Sequence, residues 1–399
     1  MRILRVAQDI FPETVGGAPY HIHALSRDQA AQGHDVTVLT VSDSVDEQET
    51  VERDGYTLIR QPPKFEVLGN QLFTNTVGIL RNNEDYDVVH AHSHLFFSTN
   101  VAATYCRWKG IPLAVTCHGL NSQRGPFWFS RAHLRTLGKW TYDSADVTFC
   151  YTDVEQTKLR ELGVDADIAV VNNGIDTERF SPSGTKHDRI DAAVGPAIVF
   201  VGRLVDGKRP QDALAAFDTI LERCPDARLF FCGDGPMRDR LEETVAEKGL
   251  NDAVTFLGRV PYSEMPAVFR AADLFVLPSR TEGFPRTVLE ALSCETPVVS
   301  SDLEQTAKIV DQTGATVEVG DIQGLATAVS DLVEDVQLLS DLGRHGRQIV
   351  TTRYDWEDTV RETTNALGQV AEISEPATSE RTEPSSPQIP VTRDEIDAK

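Results

Sequence analysis

The sequence predicts an α/β protein built from two units of similar size, each a parallel sheet with helices on both faces. Three observations predict it. Short runs rich in Val, Ile and Leu alternate with longer helical stretches along most of the chain. The alternation is interrupted at 168–182 and then starts again. The length, 399 residues, suits two or three domains at about 150 residues each.

The elements follow in order. "ILRVAQD" (3–9) reads as the first strand, and the loop "IFPETVGGAP" leads to a helix from about Tyr20 to Gln32, ended by Gly33. Strands are expected at 35–41 ("DVTVLTV"), 87–92 ("DVVHAH"), 112–119 ("PLAVTCHG") and 146–152 ("DVTFCYT"), with helical stretches between. "IAVVNNGIDTERFSP" (168–182) has the Asn, Gly, Ser and Pro of a connection between domains. The second set of strands falls at 197–203, 227–235, 253–258, 273–279, 296–302 and 314–321. "YDWEDTVRETTNALGQV" is amphipathic and reads as the last helix. From Glu372 the chain has four prolines, seven acids, three bases and no aromatic residue, too little apolar surface to fold. The expected division is therefore 1–172, 173–355, a helix at 356–371 returning to the first unit, and a disordered acidic tail at 372–399.

Composition narrows function. Hydrophobic content of 40% and charged content of 25% allow packed cores. A net charge of −23 excludes a general nucleic-acid binder, which needs a basic face for phosphates. An acidic surface keeps a protein soluble and also suits a high-salt cytoplasm. Six scattered cysteines form no Cys-x-x-Cys pair and no zinc-spaced cluster, which favours a reducing compartment without structural metal. "MRILRVAQDIFPE" lacks the apolar run of a signal peptide, and no segment approaches the roughly 18 apolar residues of a membrane span. The expectation is a cytoplasmic protein.

Ligands of open α/β sheets sit beyond the carboxyl ends of the strands, so the loops of the second unit come first. "GRLVDGKRP" carries Arg203 and Lys208, a planar fork and a mobile point charge suited to a diphosphate; the bland alternative is two solvated bases. "CGDGP" makes a tight turn through Gly235 that lets backbone approach a ligand, a weak signal alone. No Walker-type phosphate loop occurs anywhere. "FLGRVPYSEM" offers the backbone of Arg259 and Val260 to a base, or is a plain connector. "SRTEGFPRTVLEAL" sets Glu282 before a Gly283-Phe284-Pro285 turn and Glu290 in the helix that follows. Carboxylates accept paired hydrogen bonds from sugar hydroxyls, and a helix start favours phosphate. The bland alternative is a dipole-favouring acid plus a solvated helix acid.

The "EGFPRTVLE" stretch, a Glu-x7-Glu motif around Gly-Phe-Pro, resembles the retaining glycosyltransferases of the GT4 class. "GGAPYHIHAL", "NNGID", "GRLVDGKRP", "CGDGP" and "FLGRV" stand in that family's order, over about residues 1 to 365. The resemblance implies the GT-B fold, two Rossmann-like domains facing across a cleft. It implies a nucleotide-diphosphate sugar held mostly by the C-terminal domain, with no cofactor and no metal required. It gives Arg203 and Lys208 the diphosphate, Glu290 the ribose, and Glu282 with the backbone of Gly283, Phe284 and Pro285 the donor sugar. Arg259 and Val260 would meet the base. Two departures stand out: Asn172-Asn173-Gly174 where relatives commonly read Pro-Asn-Gly, and Lys308 within "QTAKIV" where many carry an acid.

The first unit faces the acceptor. Gly16 and Gly17 let backbone reach the phosphates or the reacting sugar from the opposite wall. A lone histidine at a strand end is more often structural; the resemblance instead sets His118 beside the donor sugar and the acceptor hydroxyl. His90, His92 and His94 mimic a metal cluster but lack an acid partner at a recognisable spacing, so no metal is expected. "NSQRGPFWFSRAHLRTLGKW" (121–140) alternates Arg124, Arg131, Arg135 and Lys139 with aromatics and no acid. It suits peripheral membrane contact or a lipid-linked acceptor as well as a helix packed by its aromatics. For a retaining enzyme of this kind the acceptor hydroxyl enters on the face the diphosphate leaves, and catalysis is positioning and electrostatics. A nucleotide-sugar epimerase and a non-catalytic transferase-like subunit are the rival readings; the acceptor ranges over glycans, glycolipids and lipid-linked sugars.

Overall fold

A computed structural model describes residues 1–399 except 68–69, 73–75, 83–85, 121–131, 191–194 and 375–399. Two separate parallel sheets carry the molecule. The first contains β1 (Arg2–Val6), β2 (Asp35–Val41), β3 (Glu49–Arg53), β4 (Tyr56–Gln61), β7 (Val88–His92), β8 (Leu113–Thr116), β9 (Val147–Cys150) and β10 (Asp167–Val170), while β5 (Phe65–Val67) and β6 (Asn70–Leu72) form a separate hairpin. Its order is β10-β9-β8-β7-β1-β2-β4-β3, parallel except for the β3–β4 pair. The second contains β11 (Ala197–Val201), β12 (Arg228–Cys232), β13 (Val254–Gly258), β14 (Leu274–Leu277), β15 (Val298–Ser301) and β16 (Gly314–Val317) in the order β13-β12-β11-β14-β15-β16, all parallel.

The apolar runs form strands because both faces of each sheet are covered. Ala197, Val199 and Val201 enter one core, while Ile198 and Phe200 enter the core on the opposite face. Alternate side chains of β1 divide the same way: Leu4 and Val6 to one side, Ile3 to the other. Burying one such large side chain contributes roughly 2–3 kcal/mol, so a polar substitution at Phe200 would cost more than any surface contact supplies.

The expected strands are all present, shorter by one to four residues at most ends. Two features were not foreseen. Asp167–Val170 is not connection but an edge strand paired with β9, and the β3–β4 hairpin extends the first sheet's other edge. The chain crosses between sheets twice, side by side. Ile175 N–H donates to the Tyr354 carbonyl at 2.8 Å, and Trp356 N–H donates back to the Ile175 carbonyl at 3.1 Å. A Cβ at Gly174 would lie 2.4 Å from the Asp355 carbonyl oxygen, which explains the glycine of Asn172-Asn173-Gly174. The helix Trp356–Ser374 runs three residues past its expected end and packs against the first-sheet helix Gly17–Ala31. Trp356 Nε1 donates to Asp28 Oδ2 at 2.6 Å, and Leu367 and Val370 join the core around Ile3 and Ile22. Most of the expected tail lies outside the described residues. Among the described residues no helix is long and apolar enough to cross a membrane.

Candidate active site

A parallel sheet opens a crevice where its strand order reverses. In the second sheet that point lies between β11 and β14. The loop after β11 carries Arg203 and Lys208, and the loop after β14 carries Glu282, Gly283, Phe284 and Pro285. The structure joins the two loops. Lys208 Nζ donates to Glu282 Oε1 at 2.5 Å, with only 15% and 6% of the side chains exposed. Arg280 N–H donates to the Gly207 carbonyl at 2.9 Å, and the Arg280 guanidinium lies 3.1 Å from Asp206. Arg203 is exposed on the same loop.

The "CGDGP" turn underlies this loop. A Cβ at Gly233 would stand 1.9 Å from the Gly202 carbonyl oxygen, and one at Gly235 would stand 2.5 Å from that of Leu204. These glycines therefore allow one loop to pack under another, a requirement separate from any ligand. Arg259 is 79% exposed and faces Asp234 at 3.5 Å.

Phe284 turns its ring into the core, stacked on Tyr354 with centroids 5.6 Å apart. Pro285 is the N-cap of the helix Arg286–Ser293. Glu290, in that helix's second turn, is buried and accepts from the Tyr262 hydroxyl at 2.8 Å. Burial pushes its pKa up, opposed by the neighbouring Arg286. Arg286 is buried too; burial would pull its pKa down, but Tyr262 and Glu290 outweigh that and hold it above its ordinary value. The two acids thus occupy separate stations: Glu282 with Lys208, and Glu290 beside the Tyr262 segment that follows β13.

The first unit closes over these loops. A Cβ at Gly283 would stand 3.3 Å from the His118 carbonyl oxygen and 3.6 Å from Gly119 Cα. Gly17, first residue of its helix behind the N-cap Gly16, lies against Arg286, whose Cδ would be 3.5 Å from a Cβ there. The expected site residue His118 stands at this contact and is half-buried. Its backbone faces the crevice, while Nδ1 meets the Tyr151 hydroxyl at 2.8 Å and Nε2 meets His92 Nδ1 at 2.9 Å. Burial holds this imidazole neutral, its pKa drawn down to about 3.

The rings of His90 and His92 stay together, centroids 4.4 Å apart, while His94 makes its own contacts. His90 Nε2 pairs with Thr116 Oγ1 at 2.7 Å, and His94 Nδ1 pairs with the Tyr142 hydroxyl at 2.6 Å, turned away from its neighbours by Ser93 at φ 63°. Among the described residues, no group of three or more His, Cys, Asp or Glu is placed to hold a metal ion. Of the basic aromatic segment, Arg124, Phe127, Trp128, Phe129 and Arg131 lie outside the described residues. Leu137 and Trp140 are exposed, and Lys139 pairs with Asp143. Lys308 is exposed on the helix Ala307–Thr313.

Sequence reasoning missed Arg286, Tyr262, Tyr151 and the pairing of His92 with His118. Arg286 and Tyr262 lie inside recognised motifs, but nothing in their spacing announces that they meet.

Two sheets, their reversal points turned toward one cleft, define the class: the molecule is a GT-B glycosyltransferase fold. The chain belongs to the glycosyl transferases group 1 and glycosyltransferase family 4 proteins, matching the first model over residues 191–349 and the second over 15–179. It is 29% identical to the glycogen synthase of Mycobacterium tuberculosis over 388 residues, covering 90% of this chain and 92% of that one. It is 32% identical to the D-inositol 3-phosphate glycosyltransferase of Corynebacterium urealyticum, covering 79% and 80%. Anabaena HepE, crystallised with UDP and glucose, superposes with a TM-score of 0.77 at 21% identity, covering 92% of this chain and 99% of that one.

Proposed function

We propose that the protein is a retaining hexosyltransferase that moves a sugar from a nucleotide-diphosphate sugar to a hydroxyl of a glycan, glycolipid or lipid-linked acceptor. The observation that carries this reading is the Lys208–Glu282 pair, seated at the reversal point of the second sheet and covered by His118 and Gly119 of the first unit. The dependence of a named relative, a GDP-mannose-dependent phosphatidylinositol monomannoside mannosyltransferase, on such a donor supports the donor class.

In this reading Lys208 and Arg203 meet the diphosphate and stabilise the charge that grows as it leaves. Glu282 and the Gly283–Pro285 backbone hold the donor sugar. Glu290 accepts from the ribose hydroxyls, with Arg259, Val260 and the Gly235 turn bordering the base. Gly16 and Gly17 approach from the opposite wall. The His118 backbone lines the sugar, and the acceptor enters along the first unit. The cations answer the leaving-group charge, so no metal is needed, and activity is expected to survive EDTA.

The test is transfer from UDP-, GDP- and ADP-sugars to a panel of glycan, inositol-phosphate and lipid acceptors, with the anomeric configuration of the product read by NMR. Transfer with retention supports the reading; donor consumption with inversion, or donor epimerisation without an acceptor, overturns it. We propose a cytoplasmic location with peripheral contact at the inner membrane face; the exposed Arg135, Leu137 and Trp140 support a contact surface there. Flotation with anionic liposomes should fall when Arg131, Arg135 and Lys139 are neutralised; equal flotation rejects the contact.

A further inference from the structure

Arg286 is a buried cation that the proposed chemistry leaves unused. It opens the helix Arg286–Ser293, one turn before Glu290. Its Nη1 donates to Asn173 Oδ1 at 3.0 Å and to the Gly174 carbonyl at 2.7 Å, both in the crossing between the two units. The same Asn173 oxygen meets His21 Nδ1 at 2.9 Å, on the first unit's helix Gly17–Ala31. The guanidinium lies over the rings of Tyr20 and Trp356, with its carbon 5.4 and 5.5 Å from their centroids. Tyr20 is on the first unit's helix, and Trp356 begins the helix that returns to it. On the second unit's side, Tyr262 donates to Glu290 while its ring stands 4.1 Å from that of Tyr20. One side chain therefore touches the crossing, two helices packed on the first sheet, and the surroundings of the nucleoside acid.

We propose that Arg286 is a positioning residue that couples the grip of Glu290 on the nucleoside to the closed seating of the two units. The inference rests on the donor-site reading above. A buried guanidinium is tolerated only while its charge is answered, and here Nη1 and the two ring faces carry that burden while Nε has no hydrogen-bond partner. Its partners come from both units, so opening the cleft would strip Tyr20 and Trp356 from its faces. In the other direction, a carboxylate that accepts two ribose hydroxyls must stay ionised, and the nearest cation to the buried Glu290 on its own helix is Arg286 one turn earlier. Seating the units and ionising the grip therefore favour each other, and the coupling acts reciprocally on nucleotide affinity and closure.

The test is hydrogen–deuterium exchange on the full chain without ligand, with calorimetric binding of UDP, GDP and ADP. Arg286→Met keeps the bulk and removes the charge. It should speed exchange about tenfold or more at 172–175 and at 20–24, in the other unit, and weaken the best-bound nucleotide by about tenfold. Exchange that rises only within 286–293, or not at all, overturns the coupling. If that variant does not fold, Arg286→Gln keeps amide donors for Asn173 and Gly174 and removes the charge; faster exchange at 20–24 supports the proposal, and unchanged exchange there overturns it. Lys208→Ala separates the two readings. It should weaken nucleotide binding while leaving exchange at 20–24 and 172–175 as in the wild type. Unchanged nucleotide binding in that variant removes the donor-site reading, whereas the ligand-free exchange of Arg286→Met still decides whether Arg286 ties the units together.

Discussion

Replacing Lys208 with alanine separates the ion pair its ammonium makes from the catalytic role proposed for it. In the free protein it answers the carboxylate of Glu282, which is 6% exposed. Charges centred about 4 Å apart attract by about 4 kcal/mol at an effective dielectric of about 20. Desolvation of both groups cancels much of that, leaving a net loss of about 1–3 kcal/mol when the lysine is removed and the acid stays buried. The proposed function gives the same ammonium the departing diphosphate, and removing one such stabilising group would cost about 2.7–4 kcal/mol, a fall of about 10²–10³ in kcat. A double variant tells these apart. Glu282→Gln added to Lys208→Ala removes the orphaned charge, so stability should recover toward the wild type while the rate stays low. Urea unfolding measures the first quantity, and initial rates of nucleoside diphosphate release measure the second. A folded Lys208→Ala protein with kcat within about threefold of the wild type, against the 10²-fold minimum expected, would refute the assignment of Lys208 to the leaving group.

Other perturbations test the scaffold. Burial pushes Glu155 up to about 7 from an ordinary 4.5, so the folded chain keeps a proton that the unfolded chain loses between those values. Its contribution to stability is fully present below about 4.5 and is lost as pH rises to about 7, by up to about 3 kcal/mol. Glu155→Gln should therefore unfold at higher urea than the wild type at pH 8 and not at pH 4.5; parallel pH profiles would reject this. The buried imidazoles of His21, His90, His92, His94 and His118 act in the opposite sense. Burial lowers their pKa values, so the unfolded chain takes up protons first as pH falls below 6.5. For His94, drawn down to about 3, the loss is about 2 kcal/mol by pH 5 and the others act in the same direction, so acid unfolding should be steep despite Glu155; a flat urea midpoint between pH 6.5 and pH 5 contradicts it. Gly174→Ala forces a Cβ within 2.4 Å of the Asp355 carbonyl oxygen and should destabilise by about 1–3 kcal/mol in calorimetry; an unchanged melting temperature means the crossing yields freely. With a net charge of −23, melting should rise between 0.1 M and 1 M KCl, as the screening length shrinks from about 10 Å to about 3 Å; a fall would show that surface repulsion is not limiting.

The strands were legible because burial on both faces leaves continuous apolar runs such as Ala197–Val201, which no other element of that length needs. Asp167–Val170 was not, because as an edge strand it is only half covered and runs straight into the Asn-Asn-Gly crossing. Glu49–Arg53 escaped for a related reason: its sequence, Glu-Thr-Val-Glu-Arg, is that of an exposed edge. In the site, Glu282 and Lys208 could be named from their motifs. That they touch could not, since 74 residues separate them and only the reversal of strand order between β11 and β14 brings their loops together. The glycines of "CGDGP" were singled out for approach to a ligand, and the structure shows them packed under a neighbouring loop, because both kinds of close approach ask for the same residue.

Arg286 shows why the remainder was hidden. A periodic pattern reports which face of a helix is apolar, and on that pattern an arginine at a helix start reads as solvent-exposed. Here it is 5% exposed, because two aromatic rings and a crossing segment from elsewhere in the chain take the place of most of its water. None of those partners is within 20 residues of it: Tyr20, Asn173, Tyr262 and Trp356 come from four separate stretches. A charge can be buried only where the tertiary fold answers it, so its burial records how the two units are seated. The same reasoning explains His118, whose ring is held by Tyr151 and His92 from two other strand ends while its carbonyl remains at the crevice. The motif residues define what chemistry the cleft can do; the buried polar partners, contributed from a distance, define the geometry in which the two halves do it.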